Sequence, residues 1–172
     1  EILQNTPGQE VQALQSKCYF YIGESYLLIN KYEEALERYK HSLNILDSCQ
    51  EKCQLLLTKI NERLASAYDF QEKPKLALDY LTKTLKLKQQ APDLDQVSIA
   101  DTLTSIASVY FKLGNSDKFT EYYNEAIKIL EKCDKTRSSH ALKVRIKLAP
   151  LQYNLGLYDD FARNIEEAEK KL

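Results

Sequence analysis

The chain has 172 residues, 44% of them apolar and 28% charged, and its formal net charge is −1 at neutral pH. This is the composition of a folded globular protein and excludes a disordered chain. The near-zero charge supplies no field that would draw the chain to nucleic acid or acidic lipid. No apolar run approaches the roughly 18 residues of a membrane helix, and no signal-peptide pattern opens the sequence. The expected setting is therefore cytoplasmic, with no membrane association. Methionine is absent, including at position 1, so the sequence reads as a segment of a longer protein.

Residues 1–8, EILQNTPG, read as a connector or a helix end. From there the apolar spacing predicts a helix over about 9–29, in which Tyr19, Ile22, Gly23, Tyr26 and Ile29 share one face. After a break at Asn30-Lys31 a second helix runs to about residue 48, carrying Tyr32, Ala35, Leu36, Tyr39 and Leu43. Gly23 and Ala35 have little or no side chain, which lets the two helices approach. A second hairpin covers 51–90, with Pro74 in a first turn where no amide donor is needed. Ala91-Pro92-Asp93 ends it. The third covers 94–133, with Gly114 as the stop and Asn115 or Ser116 as the next cap. The fourth covers 138–172, with Gly156 as its stop and a kink expected near Pro150. No strand pattern occurs. The final stripe of Phe161, Ile165, Ala168 and Leu172 lacks a polar outer cap and is a candidate surface for self-association.

The hairpins are copies at one period. Tyr26, Tyr68 and Tyr110 lie 42 residues apart, with Gln152 in the fourth place. Gly23, Ala65, Ala107 and Ala149 follow the same step, preceded by Ile22, Leu64, Ile106 and Leu148. Ala35, Ala77, Phe119 and Phe161 make a further ladder. A hairpin of this kind cannot bury both faces alone, so the copies must stack on one another. The expectation is a single repeat domain over 1–172, with repeats at about 9–48, 51–90, 94–133 and 138–172.

Ile22-Gly23, Tyr26, Ala35 and Tyr39, echoed by Leu64-Ala65, Tyr68, Ala77 and Leu81, resemble the tetratricopeptide repeat. The 42-residue period, with VSIADTLTSIASVY at 97–110, is similar to the kinesin light chain subgroup. The resemblance implies an all-α, right-handed α-solenoid of about four helical hairpins, or eight helices. It implies a scaffold that binds a protein or peptide in its concave groove. A second reading is the peptide-sensing part of a bacterial transcription regulator or signalling protein. The chaperone-binding version of the repeat carries Lys and Asn where this chain has Phe20 and Glu24, so its carboxylate clamp is not expected.

In such a stack the first helix of each hairpin lines the concave side. The residues expected there are Phe20, Tyr21 and Glu24 from the first hairpin, and Lys59, Arg63, Ser66 and Phe70 from the second. Thr104, Ser108, Phe111 and Lys112 come from the third, and Lys147 and Tyr153 from the fourth. Apolar anchors beside a basic lane suit a peptide bearing acidic side chains. The tyrosines fall mainly on packing ladders rather than on a base-stacking surface, so nucleic acid is not an expected partner.

No metal or cofactor is expected. Cys49 and Cys53 form one C-x3-C pair with no second pair, and zinc needs about four converging ligands. Cys18, Cys133, His41 and His140 stand apart in sequence, and four reduced thiols suit an intracellular protein. Nothing resembles a phosphate loop, a zinc-protease helix or a nucleophile elbow. Adjacent carboxylates such as Glu33-Glu34 point about 100° apart on a helix, which suits no acid/base pair. The chain is not expected to be an enzyme.

Overall fold

The structure, a computed structural model, describes residues 7–46, 53–91, 95–132 and 135–169, with their side chains except those of Pro7, Gln9 and 135–141. Expectations placed on residues 1–6, Cys49, Pro92, Asp93, Cys133, the His140 side chain and Leu172 lie outside the described residues.

All regular structure among the described residues is helical. The helices are α1 (Pro7–Leu28), α2 (Tyr32–Leu46), α3 (Gln54–Phe70), α4 (Pro74–Gln90), α5 (Gln96–Lys112), α6 (Ser116–Glu131), α7 (Lys135–Asn154) and α8 (Tyr158–Glu169). They form two compact units, Glu1–Leu87 and Lys88–Leu172, divided in the last turns of α4. In the first unit α1 packs on α2 and α2 on α3. In the second α5 packs on α6, α6 on α7 and α7 on α8, with α5 also touching α7.

The four hairpins turn in the same way. Asn30, Glu72, Gly114 and Gly156, each 42 residues from the next, all take positive φ, at 59°, 56°, 69° and 75°. At each turn the amide of that residue bonds back three residues, and the next amide bonds back five: Lys31 to Tyr26, Lys73 to Tyr68, Asn115 to Tyr110 and Leu157 to Gln152. These bonds satisfy carbonyls that a helix end leaves without a partner. Two of the four positions carry a β-carbon in a backbone region that favours glycine. Asn115 caps α6, its side-chain oxygen accepting from the Lys118 amide at 2.9 Å. α7 runs on through Pro150 to Asn154.

Apolar ladders fill each unit's interior. Tyr39, Leu46, Ile60 and Leu64 are almost fully buried in the first, and Leu103, Ile106, Phe119, Tyr123, Leu130 and Leu148 in the second. Ile22 departs from its ladder at 44% exposure while Leu64, Ile106 and Leu148 are closed off. Among the described residues no helix precedes α1 to cover that side. Gly23 makes room for a ring rather than for Ala35: a β-carbon there would lie 2.6 Å from Tyr39 Cε1.

A second close approach uses polar side chains. Ser16 and Ser42 are both fully buried; their hydroxyls meet at 2.8 Å and reach each other's carbonyl oxygens at 2.7 and 2.9 Å. One period on, the same two places hold Thr58 and Thr84, and a further period on, Ala100 and Ala126, all buried. Small side chains at that crossing keep the paired helices close in three successive hairpins.

Candidate functional site

The first unit has a surface cavity of about 320 Å³ between α1 and the start of α3. α1 contributes Ala13, Lys17, Phe20 and Tyr21, spaced to share a helix face. α3 contributes Leu55, Leu56 and Lys59 by the same logic. Tyr21 is 55% and Leu55 72% exposed, so apolar surface is open to solvent here. The Lys17 and Lys59 side chains are exposed, and among the described residues neither ammonium has an ion-pair partner. The lining thus pairs apolar walls with two unspent positive charges. Its volume is at the small end of the range of ligand sites, about 300–1,000 Å³.

Phe20, Tyr21 and Lys59, three of the residues expected to bind, meet in this cavity. Phe20 is only 6% exposed and rests against the Tyr39 ring at 5.8 Å. It is cavity wall and core together, which corrects the expectation of an open Phe20. Ala13, Lys17, Cys53, Leu55 and Leu56 complete the wall. Of these, Leu55 and Leu56 escaped the sequence reading because they precede the repeat ladders.

Glu24 and Arg63 meet each other. Arg63 Nε meets Glu24 Oε1 at 2.8 Å, and the same oxygen accepts from the Tyr39 hydroxyl at 2.5 Å. The two charges offset each other and tie α1 to α3. The buried Tyr39 hydroxyl is held well above its ordinary value, first by desolvation and then by the bond to Glu24. Ser66 bonds back to the Glu62 carbonyl at 3.0 Å. Phe70 is 71% exposed and stacks on Tyr32 at 5.2 Å, at the turn end of the hairpins.

The remaining expected residues lie in the second unit. Thr104 is 3% exposed and donates to the Ala100 carbonyl at 2.8 Å, so it packs in the interior of the unit. Ser108 and Phe111 are half-buried, with Phe111 edge-on to Phe119 at 6.3 Å. Lys112 and Lys147 are exposed. Tyr153 is 55% exposed and lies edge-on to Tyr158 and Phe161.

A polar cluster in the second unit was not anticipated. Tyr68 stacks on Tyr80 and Tyr110 on Tyr122, at 5.6 and 5.4 Å. The equivalent pair in the fourth hairpin is Gln152 and Asn164, where the Asn164 amide donates to Gln152 Oε1 at 2.7 Å. Arg145 donates to Asn164 Oδ1 and to Glu131 Oε1 at 2.5 Å. Arg145, Gln152 and Asn164 are 7%, 1% and 6% exposed. The substitution of Gln152 in the tyrosine ladder was the available sequence signal.

Among the described residues no three His, Cys, Asp or Glu side chains are grouped to hold a metal, and no helix is long and apolar enough to cross a membrane.

Residues 100–136 match the tetratricopeptide repeat. The chain has the fold of tetratricopeptide-like repeat proteins. It superposes on the crystal structure of BtubC (BKLC) from P. vanneervenii with a TM-score of 0.79 and 16% identity, over 99% of this chain and 66% of that one. A kinesin light chain-type protein of nearly identical TPR-like repeats from Podosopora anserina gives a TM-score of 0.78 at 15% identity, over 91% of this chain and 74% of that one. The Rap conjugation gene regulator of the plasmid pLS20, solved in complex with the Phr* peptide, gives 0.73 at 13% identity, over 98% and 46%. The chain therefore spans less than two thirds of the length of the first and about half that of the third. No curated protein sequence matches it.

Proposed function

We propose that the protein is a non-catalytic interaction scaffold that binds a segment of a protein partner. The cavity between α1 and α3 takes an apolar side chain of that segment, and Lys17 and Lys59 pair with carboxylates beside it. The observation that carries this reading is the cavity itself, with apolar walls and two lysines lacking an ion-pair partner among the described residues. Burial of one apolar side chain supplies about 1.5–3 kcal/mol. The lysines contribute mainly to approach rate and orientation. A Rap regulator of the same fold has been solved with a peptide bound, which supports the reading as a precedent of architecture.

The test uses a library of displayed peptides selected on the protein. Selected sequences should combine a large apolar residue with Asp or Glu within a few positions. Lys17→Glu/Lys59→Glu should weaken them about tenfold or more, and the loss should shrink as salt rises. Selection without an acidic signature, or binding indifferent to that variant, overturns the reading.

A further inference from the structure

The surface that carries the first unit's cavity continues beyond it. Lys17, Tyr21, Glu24 and Leu28 follow one another along α1 at steps of four, three and four. Lys59, Arg63, Ser66 and Phe70, each 42 residues on, do the same along α3. That spacing sets each series on one stripe of its helix. The two stripes border one groove: Tyr21 and Lys59 share the cavity, and Glu24 meets Arg63 at 2.8 Å one turn further on. The groove has three levels in order: the apolar cavity with its lysines, an internal ion pair, and then Leu28 and Phe70. Leu28, Leu55 and Phe70, at 84%, 72% and 71%, are the most exposed large apolar side chains among the described residues. Leu55 is cavity wall, so all three belong to this groove. Single exposed leucines need no explanation, but a set aligned with a cavity marks a contact surface. Phe70 is also held on one face by its stack on Tyr32 at 5.2 Å, which lowers the cost of ordering it against a guest.

The walls narrow the kind of guest. Both are helices with their backbone groups paired internally, and Ser66 gives its hydroxyl to the Glu62 carbonyl. An extended segment would therefore find little to answer its own backbone, whereas a helix satisfies its own. Tyr21 and Leu28 are seven residues apart and Lys59 and Phe70 eleven, so the two apolar levels are separated by about 10–17 Å, or two to three turns of a guest helix. Direction follows from the helix ends. α1 ends at Leu28 and α3 at Phe70, so negative dipole ends lie at the far level and the first turn of α3 at the cavity. We propose that the partner segment is an amphipathic helix laid antiparallel to α1 and α3. One apolar residue, flanked by carboxylates, enters the cavity, and a second, two to three turns toward the guest's N-terminus, rests on Leu28 and Phe70. This rests on the peptide-binding reading of the cavity and specifies its ligand.

The probe is the tightest peptide selected from a displayed library of 18-residue sequences, synthesised whole and as its C-terminal eight residues. Both are titrated by fluorescence anisotropy into the wild type, Leu28→Ser/Phe70→Ser and Lys17→Glu/Lys59→Glu, and circular dichroism follows helicity on binding. Leu28→Ser alone, at the more exposed site, serves if the double variant melts early. The expected result is a loss of about tenfold for the whole peptide with Leu28→Ser/Phe70→Ser, and no change for the eight-residue half. The lysine variant should weaken both, and the whole peptide should gain helix on binding. Unchanged affinity of the whole peptide for the Leu28 and Phe70 variants, with lysine sensitivity kept, overturns this proposal and leaves the cavity reading standing. Binding without a gain in helix also overturns it. Indifference to the lysine variant overturns both.

Discussion

Asn164 on α8 donates its amide to Gln152 on α7 at 2.7 Å, in the two places where Tyr80 stacks on Tyr68 and Tyr122 on Tyr110. An aromatic contact in the middle hairpins is replaced by a hydrogen-bonded one in the fourth. The exchange is directional in its consequences. A tyrosine pair loses area when truncated, whereas this pair leaves buried polar atoms without partners. Asn164→Ala should therefore cost about 2–3 kcal/mol, because Gln152 and Arg145 each lose a partner away from water. Urea denaturation followed by circular dichroism measures it. A loss under about 0.5 kcal/mol would show that the cluster contributes little to stability.

Gly23 is a packing requirement of the first hairpin. The β-carbon of an alanine there would sit 2.6 and 2.8 Å from Tyr39 ring carbons, and Tyr39 is fully buried. Gly23→Ala should destabilise by about 1–3 kcal/mol through overpacking, despite alanine's better helix propensity. Thermal melting should show the drop, and a Gly23→Ala/Tyr39→Leu double variant should recover part of it.

The turn positions predict effects of opposite sign. Glu72 holds φ at 56° with a β-carbon attached, so Glu72→Gly should stabilise by about 0.5–1 kcal/mol once glycine's entropy in the unfolded chain is subtracted. Gly114 holds φ at 69° with open space around it, so Gly114→Ala should destabilise by about 1 kcal/mol from backbone strain alone. Melting temperatures of the two variants, measured side by side, should move apart.

Alkaline pH should loosen the first hairpin through Tyr39. Its hydroxyl is raised above the ordinary tyrosine value of 10.0 by burial and by its bond to Glu24. The folded state therefore favours the neutral phenol more than the unfolded chain does. That contribution is complete below pH 10 and is lost as pH rises beyond it. Burial raises Tyr123 in the same direction, against an opposing effect of the Arg145 guanidinium. Stability measured between about pH 9 and pH 11 should fall in the wild type and fall less steeply in Tyr39→Phe. An unchanged slope in the variant would mean that other groups set the alkaline limit.

The helical layout was legible because it rests on local, repeated chemistry. Pro74, Gly114 and Gly156 punctuate the chain in predictable ways, and the tyrosine and small-residue ladders keep one period. Glu72 at positive φ was not legible, since nothing in a lone glutamate signals that backbone. The site was legible only in part. Helix spacing placed Phe20, Tyr21 and Lys59 on suitable faces, and these meet at one cavity. It could not show that Arg63 would spend its charge on Glu24, because that choice depends on distances between α1 and α3. Nor could it show that Thr104 would be covered, since Thr104 and Ser105 differ by one residue and about 100° of rotation.

The four turns share one more property: the same pair of backbone bonds recurs at each. Their geometry therefore does not depend on which side chains the flanking helices carry. A 42-residue segment cut at one turn and joined at another would meet its new neighbours with backbone direction and helix phase preserved. The chain can thus gain or lose whole hairpins by duplication or deletion without a new junction having to be invented, while an insertion of any other length would throw every later ladder out of step.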